Sequence, residues 1–154
     1  MEFILNGRTL KYEHEKIYIQ LEKNWKGFKI GDWKEVSSNK SKYGYIRIHI
    51  GDNTYQYHRI IAFLFLGLNI YDTSKEVDHI NHIRDDNRLE NLRIVNRVQN
   101  QWNRSNDKGY CKKNNKYVTR ITINKKRIYI GSYDTEEEAH QAYLDAKQKY
   151  HLID

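Results

Sequence analysis

The longest apolar run in this chain is IIAFLFLGL, Ile60–Leu68, and elsewhere apolar residues come as short alternations with polar ones. Such a run is far below the roughly 20 residues that span a bilayer, and it reads as one buried helix ended by Gly67. Before it, KIYIQL and YGYIRIHI alternate with period two. That places Ile46, Ile48 and Ile50 on one face of a strand and Tyr45, Arg47 and His49 on the other. VSSNKSKYG between them reads as a surface loop. A chain of 154 residues and 18.7 kDa has room for one domain with a full core or for two small modules. The patterning specifies an α+β fold of small sheets and short helices.

The single cysteine, Cys111, excludes an intrachain disulfide and a multi-cysteine zinc cluster, and it points to a reducing interior. MEFILNGRTLKYEHEK turns polar after four residues and carries no secretory signal. The expectation is an intracellular protein that is neither secreted nor in a membrane.

The net charge is +7, from 27 Lys and Arg against 20 Asp and Glu. A solubilising surface accounts for net charge alone, so the distribution is what discriminates. Lys108–Arg127 contains eight basic residues and no acid, whereas Asp134–Glu138 holds four acids. Segregation on that scale suggests a cationic face for a polyanion, with nucleic acid as the leading partner.

That cationic section follows RSNDKG, which reads as a linker and divides the chain into residues 1–104 and 105–154. KYVTRITI and KRIYIGSY are two further strands, with GYCKK a third, and a helix starts near Thr135. Thr135 and Glu138 form a capping-box pattern, and the acids EEE suit the positive end of the helix dipole. Ala139, Ala142, Tyr143, Ala146 and Tyr150 mark one apolar face able to lie close on a sheet. Alternation turns Tyr117, Ile121 and Ile123 toward that helix, leaving Arg120, Thr122, Arg127 and Tyr129 outward. Lys112, Lys113, Lys116, Lys125 and Lys126 complete the expected DNA-binding set.

The stretch EVDHINHIRDDNRLENLRIVNRVQNQWN, 76–103, is crowded with asparagine and histidine. KEVDHI reads as a strand ending in Asp78 and His79, LRIV as a second strand, and RVQNQWN as a helix capped by Asn96. If the helix packs across the hairpin, the Asp78 carboxylate and the Asn100 amide oxygen can converge on one hard cation. His79 can take a proton from water near neutral pH, and Asn91 is placed to hold its ring in one orientation. The two neighbours Asp78 and His79 can flank one phosphate only where the chain bends. His82 reads as a surface or phosphate-contacting residue, Asp85 and Asp86 as turn chemistry, and His49 and His58 as weak site candidates with structural roles at least as strong.

VDHINHIRDDNRLENLRIVNRVQN resembles the motif of the HNH endonucleases, the ββα-metal nucleases, particularly those of phages and mobile introns. GYIRIHIGDNTYQYHRIIAFLFL is similar to the segment that precedes it in phage members, and the likeness covers about 43–103. It implies metal ligation by Asp78 and Asn100, His79 as general base, and Asn91 as its support. It also implies Mg²⁺, with Mn²⁺ as substitute, and products with 5′ phosphate and 3′ hydroxyl ends. Residues 109–150 resemble the AP2 DNA-binding domain, in which a three-stranded sheet enters the major groove and a helix braces it. Tyr117 stands where that family commonly has tryptophan.

The expected architecture is thus a ββα-metal core, preceded by a small antiparallel β region and followed by an AP2-like sheet and helix. The expected activity is cleavage of double-stranded DNA at a preferred site by a homing or phage mobile-element nuclease, in the host cytoplasm if phage-encoded. The alternatives are a dimeric restriction-type nuclease and a DNA-binding protein that has lost cleavage. A monomer should nick and a dimer could cut both strands.

Overall fold

The computed structural model describes residues 1–103 and 107–152. The predicted linker and the boundary at 104/105 lie mostly outside the described residues. The chain divides into two compact units. The first comprises Met1–Tyr71 with Ile83–Leu92, and the second Asp72–His82 with Arg93–Asp154.

The first unit is built on two antiparallel sheets. Strands β1 (Glu2–Leu5), β2 (Arg8–Glu13), β3 (Lys16–Gln20) and β4 (Trp33–Glu35) pair in sequence order. Their first two hairpins turn through Asn6-Gly7 and His14-Glu15, all with positive φ. That geometry matches the twist of the flanking strands. Strands β5 (Ser38–Lys40), β6 (Ile46–Ile50) and β7 (Asn53–Gln56) form the second sheet. The stretch expected to be a plain loop therefore contributes β5, whose exposed residues Ser38, Asn39 and Lys40 pair with Ile48, Arg47 and Ile46.

Helix α1 (Tyr57–Phe65) buries His58, Ile60, Ile61 and Ala62. It starts three residues before the apolar run that predicts it and ends three residues before that run does. Phe65 is exposed, Leu66 caps the helix, and Gly67 at φ 73° turns the chain so that Leu68 is buried beyond the helix end. The core of this unit gathers Leu5, Leu10, Ile17, Val36, Ile48, Ile50, Ile60 and Ile70, with Phe3, Tyr12, Tyr55, Tyr57 and Phe63 around it.

In the second unit, β8 (Lys75–His79) pairs with β9 (Leu92–Asn96), and helix α2 (Arg97–Trp102) packs on β8. The strand, loop, strand, helix order is the one expected. Asn96 caps α2 through a reciprocal pair: its side chain accepts from Gln99 N, and Gln99 Oε1 accepts from Asn96 N. Two orphan donors of a very short helix are thereby satisfied.

Strands β10 (Tyr110–Lys113), β11 (Lys116–Ile123) and β12 (Lys126–Tyr133) form an antiparallel sheet braced by α3 (Glu136–Tyr150). The two hairpins turn through Asn114-Asn115 and Asn124-Lys125, again at positive φ. Thr135 and Glu138 make the expected capping box. Tyr143 and Ala146 are buried against Ile121 and Ile130, Ala139 is buried as well, and Tyr150 is exposed. Thr119 is fully buried, and its Oγ1 donates to Ala139 O at 2.8 Å, which ties sheet to helix. Gly109 permits the close approach of Tyr143, since a Cβ there would fall 1.9 Å from the ring. Among the described residues no helix is long and apolar enough to cross a membrane.

Candidate active site

Asp78 and His79 end β8, both buried, at 7% and 5% exposure. The chain turns at once: His82 N donates to His79 O at 3.0 Å, and His82 takes φ 65° and is exposed. The turn lies beyond His79, and Asp78 and His79 are themselves successive residues of the strand.

Three side chains of β9 and α2 converge on the β8 carboxylates. Arg93 in β9 gives Asp78 Oδ2 two contacts, from Nε at 2.9 Å and Nη2 at 2.8 Å. Just past α2, Asn103 Nδ2 donates to Asp78 Oδ1 at 3.0 Å and to His79 O at 3.1 Å. Within α2, Asn100 Nδ2 donates to Glu76 Oε2. Glu76 and Asp78 share a strand face by period two, and Asn100 and Asn103 share a helix face by their spacing of three.

Helix and strand therefore meet as expected, but Asp78 pairs with Arg93 and Asn103, and Asn100 with Glu76. Sequence reasoning misses Glu76 and Arg93, and the hold of Asn103 on Asp78. The spacing of Asn103 three residues past Asn100 is the available signal for it. The pairing of Arg93 depends on the register of β8 against β9, which no local pattern reveals.

Asn91 belongs to the first unit, at the end of a 3₁₀ turn (Leu89–Asn91). It is buried, and its Nδ2 donates to Asp86 O at 2.7 Å, closing the 86–91 loop. Asp85 and Asp86 behave as turn residues held by cations, Asp85 by Lys40 at 2.6 Å and Asp86 by Arg88 at 2.8 Å. The Lys40 ammonium holds the Asp85 carboxyl below its ordinary range. His49 bridges Asn39 and Thr54, a structural role.

The donor set around β8 is two carboxylates and two amides, the hard oxygen chemistry that suits Mg²⁺ or Ca²⁺ rather than a soft metal. An amide that presents nitrogen can present oxygen after a flip. In this arrangement the Arg93 guanidinium supplies positive charge at Asp78. The residues present fit a divalent cation that shares or takes over that role.

The basic residues of the three-stranded sheet divide between its faces. By register, Lys113, Lys116, Arg120, Thr122 and Arg127 share the face away from α3, whereas Lys112 and Lys126 pair with Tyr117 and Ile123 on the α3 side. Lys125 sits in the β11–β12 turn. Lys116 is held by Asp134 at 2.8 Å, which raises its pKa, and half-buried Arg120 approaches Cys111 Sγ at 3.8 Å. Tyr129, beside Arg120 across the strands, is 59% exposed.

No curated protein and no solved structure matches the chain. A family model described as HNH endonuclease matches residues 55–102, a segment that runs from β7 through α1, β8 and β9 to the end of α2 and stops before the three-stranded sheet. HNH nucleases generally use a divalent metal and act on DNA. The chain carries an HNH endonuclease domain in residues 55–102.

Proposed function

We propose that the protein is a divalent-metal-dependent DNA endonuclease that hydrolyses a phosphodiester bond at the end of β8. The observation that carries this reading is the buried Asp78-His79 pair within the HNH match, faced by the Asn103 amide just past α2. Asp78 and Asn100 hold the cation, Mg²⁺ or Mn²⁺ in its place. When bound, the cation stabilises negative charge that builds on the phosphate and on the leaving oxygen.

His79 acts as general base: a ring nitrogen takes a proton from water, and the water oxygen attacks phosphorus. The bond from phosphorus to O3′ breaks, and the departing oxygen takes a proton from solvent. The ends are a 5′ phosphate and a 3′ hydroxyl. The motif likeness assigns Asn91 the support of the imidazole. Asn103, bonded to both Asp78 and the His79 carbonyl, holds these two residues in fixed relation.

Residues 105–154 form the DNA-docking module, AP2-like in its three strands and bracing helix. Its outer face carries Lys113, Lys116, Arg120, Thr122 and Arg127, with Lys112, Lys125 and Lys126 at the edges. The phage motif likeness supports a homing or mobile-element nuclease with a preferred site. The test is supercoiled plasmid incubated with the protein and Mg²⁺. Open-circular product indicates one active site per encounter, linear product indicates paired sites, and intact plasmid with both Mg²⁺ and Mn²⁺ overturns the reading.

A further inference from the structure

A cavity of about 330 Å³ in the second unit is lined by Arg93, Trp102, Asn103, Lys147, Gln148 and His151 together with Leu144. We propose that this cavity binds a backbone phosphate of the DNA, next to the phosphate that is cut. The identity of its occupant rests on the nuclease reading, whereas its affinity for phosphate does not.

The lining chemistry sets the sign of the ligand. Two cations, an imidazole and two amides line the cavity, and among the described lining residues there is no carboxylate. The cavity of about 460 Å³ in the first unit is the opposite case, lined by Glu15, Asp85, Asp86 and Glu90 around Arg88. A site selective for anions needs the former composition.

Each cation is held at the cavity wall by the protein, Lys147 with its ammonium 5.8 Å from the centroid of the Tyr143 ring. Arg93 is pinned by Asp78 through Nε and Nη2, which fixes the guanidinium plane and leaves Nη1. A planar fork fixed in this way loses little entropy on meeting a phosphate. Burial pushes the Lys147 ammonium below the usual lysine range, partly opposed by Asp107. A cation that has lost water gains most from an anion at hydrogen-bond distance.

The wall beside them is preformed. The His151 ring stacks on Trp102 with centroids 4.6 Å apart and planes 6° from parallel. Its Nε2 lies 3.1 Å from Thr122 O, to which it can only donate, and Nδ1 is buried with no hydrogen-bond partner among the described residues. Arg93 and Asn103 also hold Asp78, so a phosphate bound here is coupled through shared side chains to the reacting centre.

The experiment uses the full chain with Trp25→Phe and Trp33→Phe, which leaves Trp102 as its sole tryptophan. Inorganic phosphate is titrated without DNA or metal while Trp102 emission is followed. Saturable change is expected, abolished by Lys147→Gln and retained in Lys147→Arg. Lys147→Gln should also weaken binding of a short duplex and lower the slope of log affinity against log salt by about one. Emission that ignores phosphate, or responds equally in Lys147→Gln, overturns the site. Phosphate binding by a protein that cuts no plasmid would sustain the pocket and refute the nuclease. Plasmid cleavage without the phosphate response would do the reverse.

Discussion

Replacing Arg93 by alanine leaves Asp78 with Asn103 as its remaining hydrogen-bond donor, in a site where the carboxylate side chain is 8% exposed. Two charge-assisted contacts at 2.9 and 2.8 Å disappear. Hydrogen bonds to charged groups contribute about 1.5–3 kcal/mol each. Both contacts here converge on one oxygen, and the Arg93 side chain is 26% exposed, so the joint loss should be about 2–3 kcal/mol after solvent screening. At about 2–4 °C per kcal/mol for a chain of this size, the melting temperature should fall by about 4–12 °C.

The assay is thermal unfolding followed by circular dichroism, first with chelator and then with Mg²⁺. A cation at Asp78 replaces the lost positive charge, so Mg²⁺ should raise the melting temperature of Arg93→Ala by more than that of the parent protein. An unchanged melting temperature in chelator would refute the assigned importance of the ion pair. A lowered one with no larger response to Mg²⁺ would place the cation away from Asp78.

Thr119→Val keeps side-chain shape but removes the Oγ1 donor to Ala139 O, and should cost about 1 kcal/mol in denaturant unfolding. Burial, then the nearby charges of Tyr12 and Glu15, raises the Tyr57 phenol well above its ordinary range. Since the folded pKa exceeds the unfolded one, this stabilisation is complete below about pH 10 and is lost as pH rises above it. Melting temperatures across that alkaline range should fall less steeply in Tyr57→Phe, which also loses the bond to Glu15 O. Arg120→Ala should relax preference at one or two base pairs by about 1–3 kcal/mol. Binding to a panel of single-base variants checks this, and a uniform drop would make Arg120 a phosphate contact.

Local chemistry is legible in the sequence, and non-local pairing is not. The Asn96 and Thr135 caps can be read because each involves a side chain and a backbone group three residues apart. The β6, β8, β9, β11 and β12 strands follow from alternation. β5 is hidden because Ser38, Asn39 and Lys40 are all exposed, and only pairing with β6 makes them a strand. The Asn6-Gly7 turn is a strong hairpin signal that marks β1 and β2 once the strands are known.

At the candidate site the order of elements and the positions of Asp78, His79 and Asn100 are readable, but the partners of the carboxylates are not. Arg93 looks like any polar residue of a half-buried strand until β8 lies beside it. The sequence presents the lysines as one cationic set, yet register sends Lys112 and Lys126 to the α3 side of the sheet. Charge composition carries no information about which face a residue takes.

The most direct test of the account is cleavage of supercoiled plasmid by His79→Ala in Mg²⁺, with DNA affinity measured in parallel. The account predicts cleavage reduced by at least about 10²-fold, the usual scale of general-base catalysis, while affinity for the duplex stays near that of the parent protein. A His79→Ala protein that binds DNA and cuts at a rate near the parent's would contradict the assignment of His79 as the base and move the chemistry elsewhere.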